Sequence, residues 1–493
     1  MKSVLYAIAG AALSVLAFPP FGPGLLIIPG IAVFLVAVRT CRTRLQGLWI
    51  GSLYGLIFFG GLMWWLGLLD PLALILVPVQ AVFLAVYGWW LAGRRAADPL
   101  RWYLSAVGGW ALIEVIRYRF PVGGQEWAAA GYALSDSLVR FWASVVGTSG
   151  LTVIVVLLAA MAALGLTREW DTRVLWAVAV PVLVVVASVP SIVTQQDAGP
   201  FPVAIVQGST PCPFEDCPPD ERLRTYEQHL ALTETIEAGT VELVVWPESS
   251  TGSTNADPML NDEVREAIGE QARRIGAAIL VGGDRIVSDE EFINANVFFD
   301  ANGEIVGEYS KQHAVPFGEY IPARPWFEWI PALDQVPRDM IPGEGPVVFD
   351  MGVIQLGSVI SWEGGFSRYA LQHRRAGANL LAVTTNKASY GPDAPTSDQF
   401  IGMTRMRAVE LGIPVVHAAV TGKSTVIDYQ GSFDSTTETG ESVIFYGDAG
   451  LSTSTIYSTI GDSLMWMAAL VGVYTVWRYW TLVGSDDDTH EED

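Results

Sequence analysis

The chain has 493 residues; 51% are apolar, yet 51 acidic residues against 29 basic ones leave a formal net charge of −22. A mean hydropathy of +0.36 beside a pI near 4.6 points to a membrane part joined to an acidic soluble part. The acidity excludes a nucleic-acid binder, which needs a basic face to displace counterions from phosphates, and three cysteines exclude a disulfide-dense scaffold.

A helix needs about 20 mostly apolar residues to cross a bilayer. In chain order such stretches fall at residues 3–19, 22–39, 48–68, 71–93, 101–118, 138–166 and 174–194, with an eighth at 462–483. The first begins at Lys2 as a signal peptide would. It lacks a small-residue cleavage site and runs into the turn-forming Phe18-Pro19-Pro20-Phe21-Gly22-Pro23-Gly24, so it is read as a retained span. Small-residue pairs such as Gly51 and Gly55 read as helix-packing positions.

Arginine sets the expected orientation, because short cytoplasmic loops are enriched in basic residues. Arg39, Arg42 and Arg44, then Arg94, Arg95 and Arg101, then Arg168 and Arg173 all fall on one side of the expected spans. That places the N-terminus inside and the segment after the seventh span outside the cytoplasm. Arg117 and Arg119 are the exception. They precede Phe120-Pro121-Val122-Gly123-Gly124-Gln125-Glu126-Trp127, a segment expected to fold back into the interface. The expected organisation is a seven-span membrane domain at 1–196, an extracytoplasmic domain at 200–459, an eighth span at 460–484 and an acidic cytoplasmic tail at 485–493.

Within the soluble segment, Val203–Gln207, Val241–Trp246, Ala278–Gly282, Val297–Asp300, Val347–Phe349, Gly357–Ser361, Leu380–Thr384, Val415–Val420 and Val426–Asp428 read as strands. Residues 219–238, 260–275 and 397–411 read as helices, and the alternation argues for a layered α/β sandwich. Cys212 and Cys217 lie in the Pro-rich stretch 211–219, where a local disulfide, two free thiols or a metal site are all open. The absence of a nearby His or further Cys disfavours the metal.

Three segments concentrate unusual polar residues. Trp246-Pro247-Glu248-Ser249 sets a carboxylate directly after a buried strand. Tyr309-Ser310-Lys311-Gln312-His313-Ala314-Val315-Pro316-Phe317-Gly318-Glu319-Tyr320 holds one of only four lysines, the others being Lys2, Lys387 and Lys423. Ser358-Val359-Ile360-Ser361-Trp362-Glu363-Gly364 ends an apolar strand in a hydroxyl and an acid. Taken singly, each is an ordinary polar residue at a strand end. A carboxylate, an amine and a nucleophile converging together suit acyl transfer: the acid serves as general base, the amine steadies the tetrahedral oxyanion, and the nucleophile carries the acyl group.

The order and surroundings of these segments resemble the carbon–nitrogen hydrolase (nitrilase) superfamily, and the flanking spans narrow the resemblance to its membrane branch, the apolipoprotein N-acyltransferase family. The resemblance covers Phe120-Pro121 through Gly131-Tyr132, Val203-Ala204-Ile205-Val206-Gln207-Gly208, the Glu248 and Glu319 motifs, and Met406-Arg407-Ala408-Val409-Glu410-Leu411-Gly412-Ile413-Pro414. It implies about eight helical spans with a four-layer αββα sandwich. Glu248 would be the general base, Lys311 the oxyanion stabiliser, Glu319 and Glu363 the auxiliary acids that orient lysine and nucleophile, and Asn386 the asparagine after a later strand. No metal or other cofactor is implied. The implied partners are a phospholipid acyl donor and a lipoprotein acceptor with a lipid-modified N-terminal Cys; oligomeric state is not implied.

The departure lies at the nucleophile, where the family's Cys-Tyr-Glu pattern becomes Ser361-Trp362-Glu363. Lys387 and Ser389 also stand where the family has aspartate and tryptophan. A thiol ionises readily beside a lysine, whereas a serine hydroxyl needs a histidine or lysine base. Lys311 would serve only if neutral, and its acidic neighbours oppose that. Two other readings therefore stand beside the N-acyltransferase: a catalytically impaired nitrilase-like membrane scaffold, and a Ser361-dependent amidase or acyltransferase with another substrate. Gly422-Lys423-Ser424-Thr425 is discarded as a phosphate loop, because His417 stands where the earlier glycine belongs.

Overall fold

The computed structural model describes residues 1–188, 195–197, 199–210, 224–252, 256–327, 329–449 and 451–487. Cys212, Cys217 and the end of the acidic tail lie outside them. The chain divides into two compact units, residues 1–67 with 71–191 and 460–493, and residues 192–459 with 68–70.

The first unit is helical: α1 Lys2–Leu16, α2 Ile27–Arg39, α3 Arg44–Met63, α4 Leu76–Ala92, α5 Pro99–Arg117, α6 Ala143–Leu166, α7 Thr172–Ser188, and a last helix Ser463–Asp487. Each of the expected apolar stretches thus contains a helix among the described residues. Among the described residues, Arg44–Met63, Pro71–Ala92 and Leu138–Leu166 are long and apolar enough to cross a membrane, and Lys2–Leu16, Gly24–Arg39 and Thr172–Ser188 are apolar but shorter. Local chemistry starts these helices. The Thr43 side chain accepts from Gln46 N at the head of α3, and Asp98 caps α5 with Pro99 in its first turn.

α3 and α4 pack backbone to backbone on small residues. A Cβ on Gly51 would stand 2.1 Å from Leu84 O, and one on Gly47 2.3 Å from Gly88 O. Gly51 and Gly55 are therefore packing residues. Gly51→Leu is expected to force the pair apart and cost about 1–3 kcal/mol, read as a lowered Tm in detergent; an unchanged Tm would refute the close contact.

Of the two exceptions in the orientation pattern, Arg117 proves to be buried and Arg119 exposed. The Arg117 guanidinium donates to Glu114 Oε2 at 2.7 Å, to Gln125 O at 2.9 Å and to Trp127 O at 3.0 Å, with a longer bond to Gln80 at 3.3 Å. It is a neutralised staple that holds the loop 118–127 onto α5. Such a residue does not weigh as a free loop cation.

The second unit is a layered α/β fold. Its first sheet uses β1 Pro202–Gln207, β2 Leu243–Val245, β3 Ala278–Ile286, β4 Glu291–Phe299 and β5 Ile305–Ser310. The second uses β6 Val348–Met351, β7 Ile354–Ile360, β8 Leu380–Thr385, β9 Val415–Ala419 and β10 Thr425–Ile427; β11 Val443–Asp448 returns to the first. Spatial order is β11-β1-β2-β3-β4-β5 in one sheet and β10-β9-β8-β7-β6 in the other. In each, three central strands run parallel, β1-β2-β3 and β7-β8-β9.

One apolar core joins the facing sides of the two sheets, with Val203, Ile205, Leu243, Val245 and Leu280 against Leu356, Ile360, Leu380, Ala382 and Val416. Helices α8 Arg224–Thr233 and α9 Asp262–Ile275 cover the outer side of the first sheet through Tyr226, Val264, Ile268 and Ala272. Helices α10 Ser367–Arg375 and α11 Thr396–Leu411 belong to the second. The parallel strands are buried on both sides, so their sequences read as unbroken apolar runs.

Where the sequence reading fell short, polarity explains it. β5 and β11 are edge strands with half-exposed, mixed sequences, and neither was expected. β4 starts six residues before the expected run, because its first half carries Asn294 and Asn296. Helix α10, Ser-Arg-Tyr-Ala-Leu-Gln-His-Arg-Arg, buries only a narrow stripe.

Candidate active site

The site is built at the carboxyl ends of the central strands, where parallel strands of adjacent sheets deliver their following residues to one place. The three buried residues of β2 lead into Trp246-Pro247-Glu248. Gly282 on β3 makes room: a Cβ there would stand 2.2 Å from Pro247 O and 2.8 Å from Glu248 Cα.

Glu248 is buried and accepts three hydrogen bonds: from Asn294 Nδ2 at 2.9 Å, Lys311 Nζ at 3.3 Å and the Asn386 backbone N–H at 2.8 Å. Lys311 follows β5 directly, and its backbone N–H is held by Asn294 O at 2.9 Å. Its fully buried ammonium also donates to Glu319 Oε1 at 2.5 Å. The other oxygen of Glu319 accepts from Val315 N at 2.8 Å, which closes the turn between lysine and acid. Burial alone would lower the Lys311 pKa, but Glu319 and Glu248 outweigh it and hold the amine above the ordinary lysine value. Lys311 is therefore a fixed cation, suited to stabilising an oxyanion and unsuited to taking a proton.

Glu363 joins two segments. Its Oε1 accepts from Gln312 N at 2.6 Å and His313 N at 3.0 Å; its Oε2 accepts from Ile360 N at 2.8 Å and Tyr309 Oη at 2.9 Å. One carboxyl thus ties the turn after Lys311 to the end of β7. All four partners donate and favour the ionised form, yet burial pushes the carboxyl up to about 7.

Ser361 opens the short 3-10 turn Ser361–Gly365 just beyond β7, not the strand itself. Its φ of 50° lies in the left-handed region, as does the 55° of Ser249 beside Glu248. Strain of this kind persists where the surroundings over-determine the backbone. Here Glu363 grips both sides of Ser361. Among the described residues, the Ser361 hydroxyl has no hydrogen-bond partner.

Asn386 contributes its backbone N–H to Glu248, while its side-chain oxygen accepts from Ala388 N at 2.9 Å in a local turn. Sequence reasoning missed Asn294, which holds both Glu248 and Lys311, and Asn296, whose amide donates to Ser358 Oγ at 2.7 Å and Thr384 Oγ1 at 2.9 Å between the sheets. Two asparagines at i and i+2 in an apolar strand share one face, and that was the available signal.

Lys387, noted in the sequence only as a departure, is buried in the same region. Its ammonium faces the rings of Phe400 at 4.4 Å and Tyr390 at 5.0 Å, and among the described residues it makes no hydrogen bond or ion pair. Burial lowers it to about 8 against the opposing pull of Glu248, with Lys311 lowering it further.

Glu248, Lys311, Glu319 and Asn386 are thus linked by direct hydrogen bonds, and Glu363 joins them through the backbone that follows Lys311 and holds the turn in which Ser361 stands. No group of three or more potential metal ligands occurs among the described residues.

Comparison with known proteins gives two family matches: "Apolipoprotein N-acyltransferase N-terminal domain" over residues 10–161 and "Carbon-nitrogen hydrolase" over residues 202–464. The chain is 31% identical to the apolipoprotein N-acyltransferase of Sinorhizobium medicae, over 85% of this chain and 84% of that protein. It is 27% identical to that of Geobacter metallireducens, over 96% and 94%. Among solved structures, an amidase from Nesterenkonia sp. aligns over 52% of this chain and 92% of its own, at 20% identity and a TM-score of 0.39.

Proposed function

The chain belongs to the apolipoprotein N-acyltransferase family, a membrane enzyme family with a carbon–nitrogen hydrolase domain, and from that premise we propose that Ser361 carries an acyl chain from a phospholipid to the α-amine of a lipoprotein's N-terminal cysteine. The observation that carries this assignment of residues is the buried Glu248–Lys311–Glu319 cluster, coupled through Glu363 to the turn of Ser361.

In the first half-reaction the Ser361 oxygen attacks the ester carbonyl, Lys311 steadies the developing oxyanion, and lysophospholipid leaves. In the second the acceptor amine attacks the serine ester and Glu248, already oriented by Asn294 and Asn386, takes the amine proton. Eight spans with residues 200–459 outside the cytoplasm suit these substrates, since both reside in the bilayer. The arginine pattern supports that orientation, and the burial of Arg117 leaves Arg119 as its one exposed exception.

The test uses purified full-length protein with a diacylphosphatidylethanolamine labelled in its acyl chains, in detergent micelles. A covalent adduct mapped to Ser361 by mass spectrometry, resistant to neutral hydroxylamine as an oxygen ester and absent from Ser361→Ala, is the expected result. An adduct that forms only in Ser361→Cys would favour the scaffold reading instead.

A further inference from the structure

The family chemistry was built for a thiol, and a hydroxyl asks more of its base. Glu248 is engaged by three donors, one of them the Lys311 ammonium, and among the described residues it makes no hydrogen bond to Ser361. Lys311 is itself held charged between two carboxylates. A serine at position 361 therefore lacks an evident proton acceptor among the family's residues.

The sheet supplies one. β7 and β8 are adjacent parallel strands with Ile360 level with Thr384, and parallel neighbours lie about 4.8 Å apart. Ser361 and the segment Thr385-Asn386-Lys387 therefore leave the same edge side by side. The turn of Ser361 also touches the wall of the Lys387 cage: a Cβ on Gly364 would stand 2.9 Å from Phe400, the ring that Lys387 faces. From the other side, Gly422 lets the lysine stem pass, since a Cβ there would meet Lys387 Cγ at 2.9 Å. The ammonium is thus confined among rings, and among the described residues no anion is bound to it.

We propose that Lys387 is the general base for Ser361, taking the hydroxyl proton as the serine oxygen bonds to the phospholipid carbonyl carbon. The proposal rests on the Ser361 reading above. As the tetrahedral intermediate collapses, the bond from carbonyl carbon to the glycerol oxygen breaks, and the Lys387 proton passes to that oxygen, which leaves as the alcohol of lysophospholipid. In deacylation the acceptor amine bonds to the acyl carbon and the Ser361 oxygen leaves; the proton that Glu248 takes from the amine nitrogen passes by way of Lys387 to that oxygen, so both bases return to their starting states.

The charged and titratable groups around Lys387 are consistent with a neutral amine in the working range. Glu248 favours the ammonium and Lys311 opposes it; burial holds His417 down at about 3 and Tyr390 up at about 12, so both are neutral.

The test measures single-turnover adduct formation against pH with the same labelled phosphatidylethanolamine. For the wild type the rate should rise with pH and level off above about 8. Lys387→Met and Lys387→Arg should each lose about 10²–10³-fold and the pH rise with it; arginine keeps charge and ring contact but does not deprotonate. In a Ser361→Cys background the same substitutions should cost at least about tenfold less, because the thiol ionises beside Lys311 unaided. Equal losses in both backgrounds, or a wild-type rate in Lys387→Met, would overturn the proposal while leaving Ser361 acylated. No adduct on Ser361 in the wild type would overturn both readings.

Discussion

Lys311→Met should abolish measurable acyl transfer and destabilise the soluble unit at once. The activity loss, about 10²–10³-fold or more, follows from removing the fixed cation proposed to steady the oxyanion. The stability loss follows from what remains: Glu248 and Glu319, both bonded to the same ammonium, would face each other without it. Breaking a buried pair by deleting one partner costs about 3–5 kcal/mol. The two effects are separable. Adding Glu319→Gln to Lys311→Met removes one of the stranded charges, so the Tm should recover in part while transfer stays lost. Transfer within tenfold of wild type in Lys311→Met would remove the lysine from the mechanism.

Glu363→Ala is the second large effect. It strands three backbone N–H groups, of Gln312, His313 and Ile360, and the Tyr309 hydroxyl, all inside the protein. Each unsatisfied buried donor costs about 1–3 kcal/mol, with some relief from water entering the cavity, so a loss of about 4 kcal/mol is expected. Adduct formation should fall too, since the turns of Ser361 and Lys311 lose their common anchor. Glu363→Gln should lie between, as its single oxygen serves part of the set. The pH dependence has a definite sign. Burial lifts this carboxyl from 4.5 to about 7, so the folded chain keeps a proton that the unfolded chain releases. Stability from this source is complete below 4.5 and falls as pH rises through 7. That slope in Tm should vanish in both variants, and its persistence would mean another group produces it.

The sequence made the parallel strands legible because they are buried on both sides, and an unbroken apolar run leaves few alternatives. It made Glu248, Lys311, Glu319 and Glu363 legible because each follows such a run or belongs to a dense motif. It hid β5, β11 and helix α10, whose half-exposed faces dilute the pattern. It also hid the partners that a side chain finds across the sheets. Asn294 and Asn296 act through bonds to residues 46 to 88 positions away, and no local pattern encodes those. Lys387 showed as an oddity in a family position; its aromatic surroundings, and the lack of an ion pair among the described residues, are visible only in the fold. Arg117 misled for the related reason that a charge paired inside a unit looks the same in sequence as one free in a loop.

The left-handed backbone at residue 361 bears on how this lineage could have changed its chemistry. Serine is one base away from both cysteine and threonine in the genetic code, so mutation offers all three at this site. A β-branched side chain fits poorly at positive φ, which disfavours threonine. Drift at this position is thereby channelled to an unbranched stem ending in sulfur or oxygen, and an exchange between them leaves the turn intact while transferring the burden of adaptation to whatever residue accepts the proton.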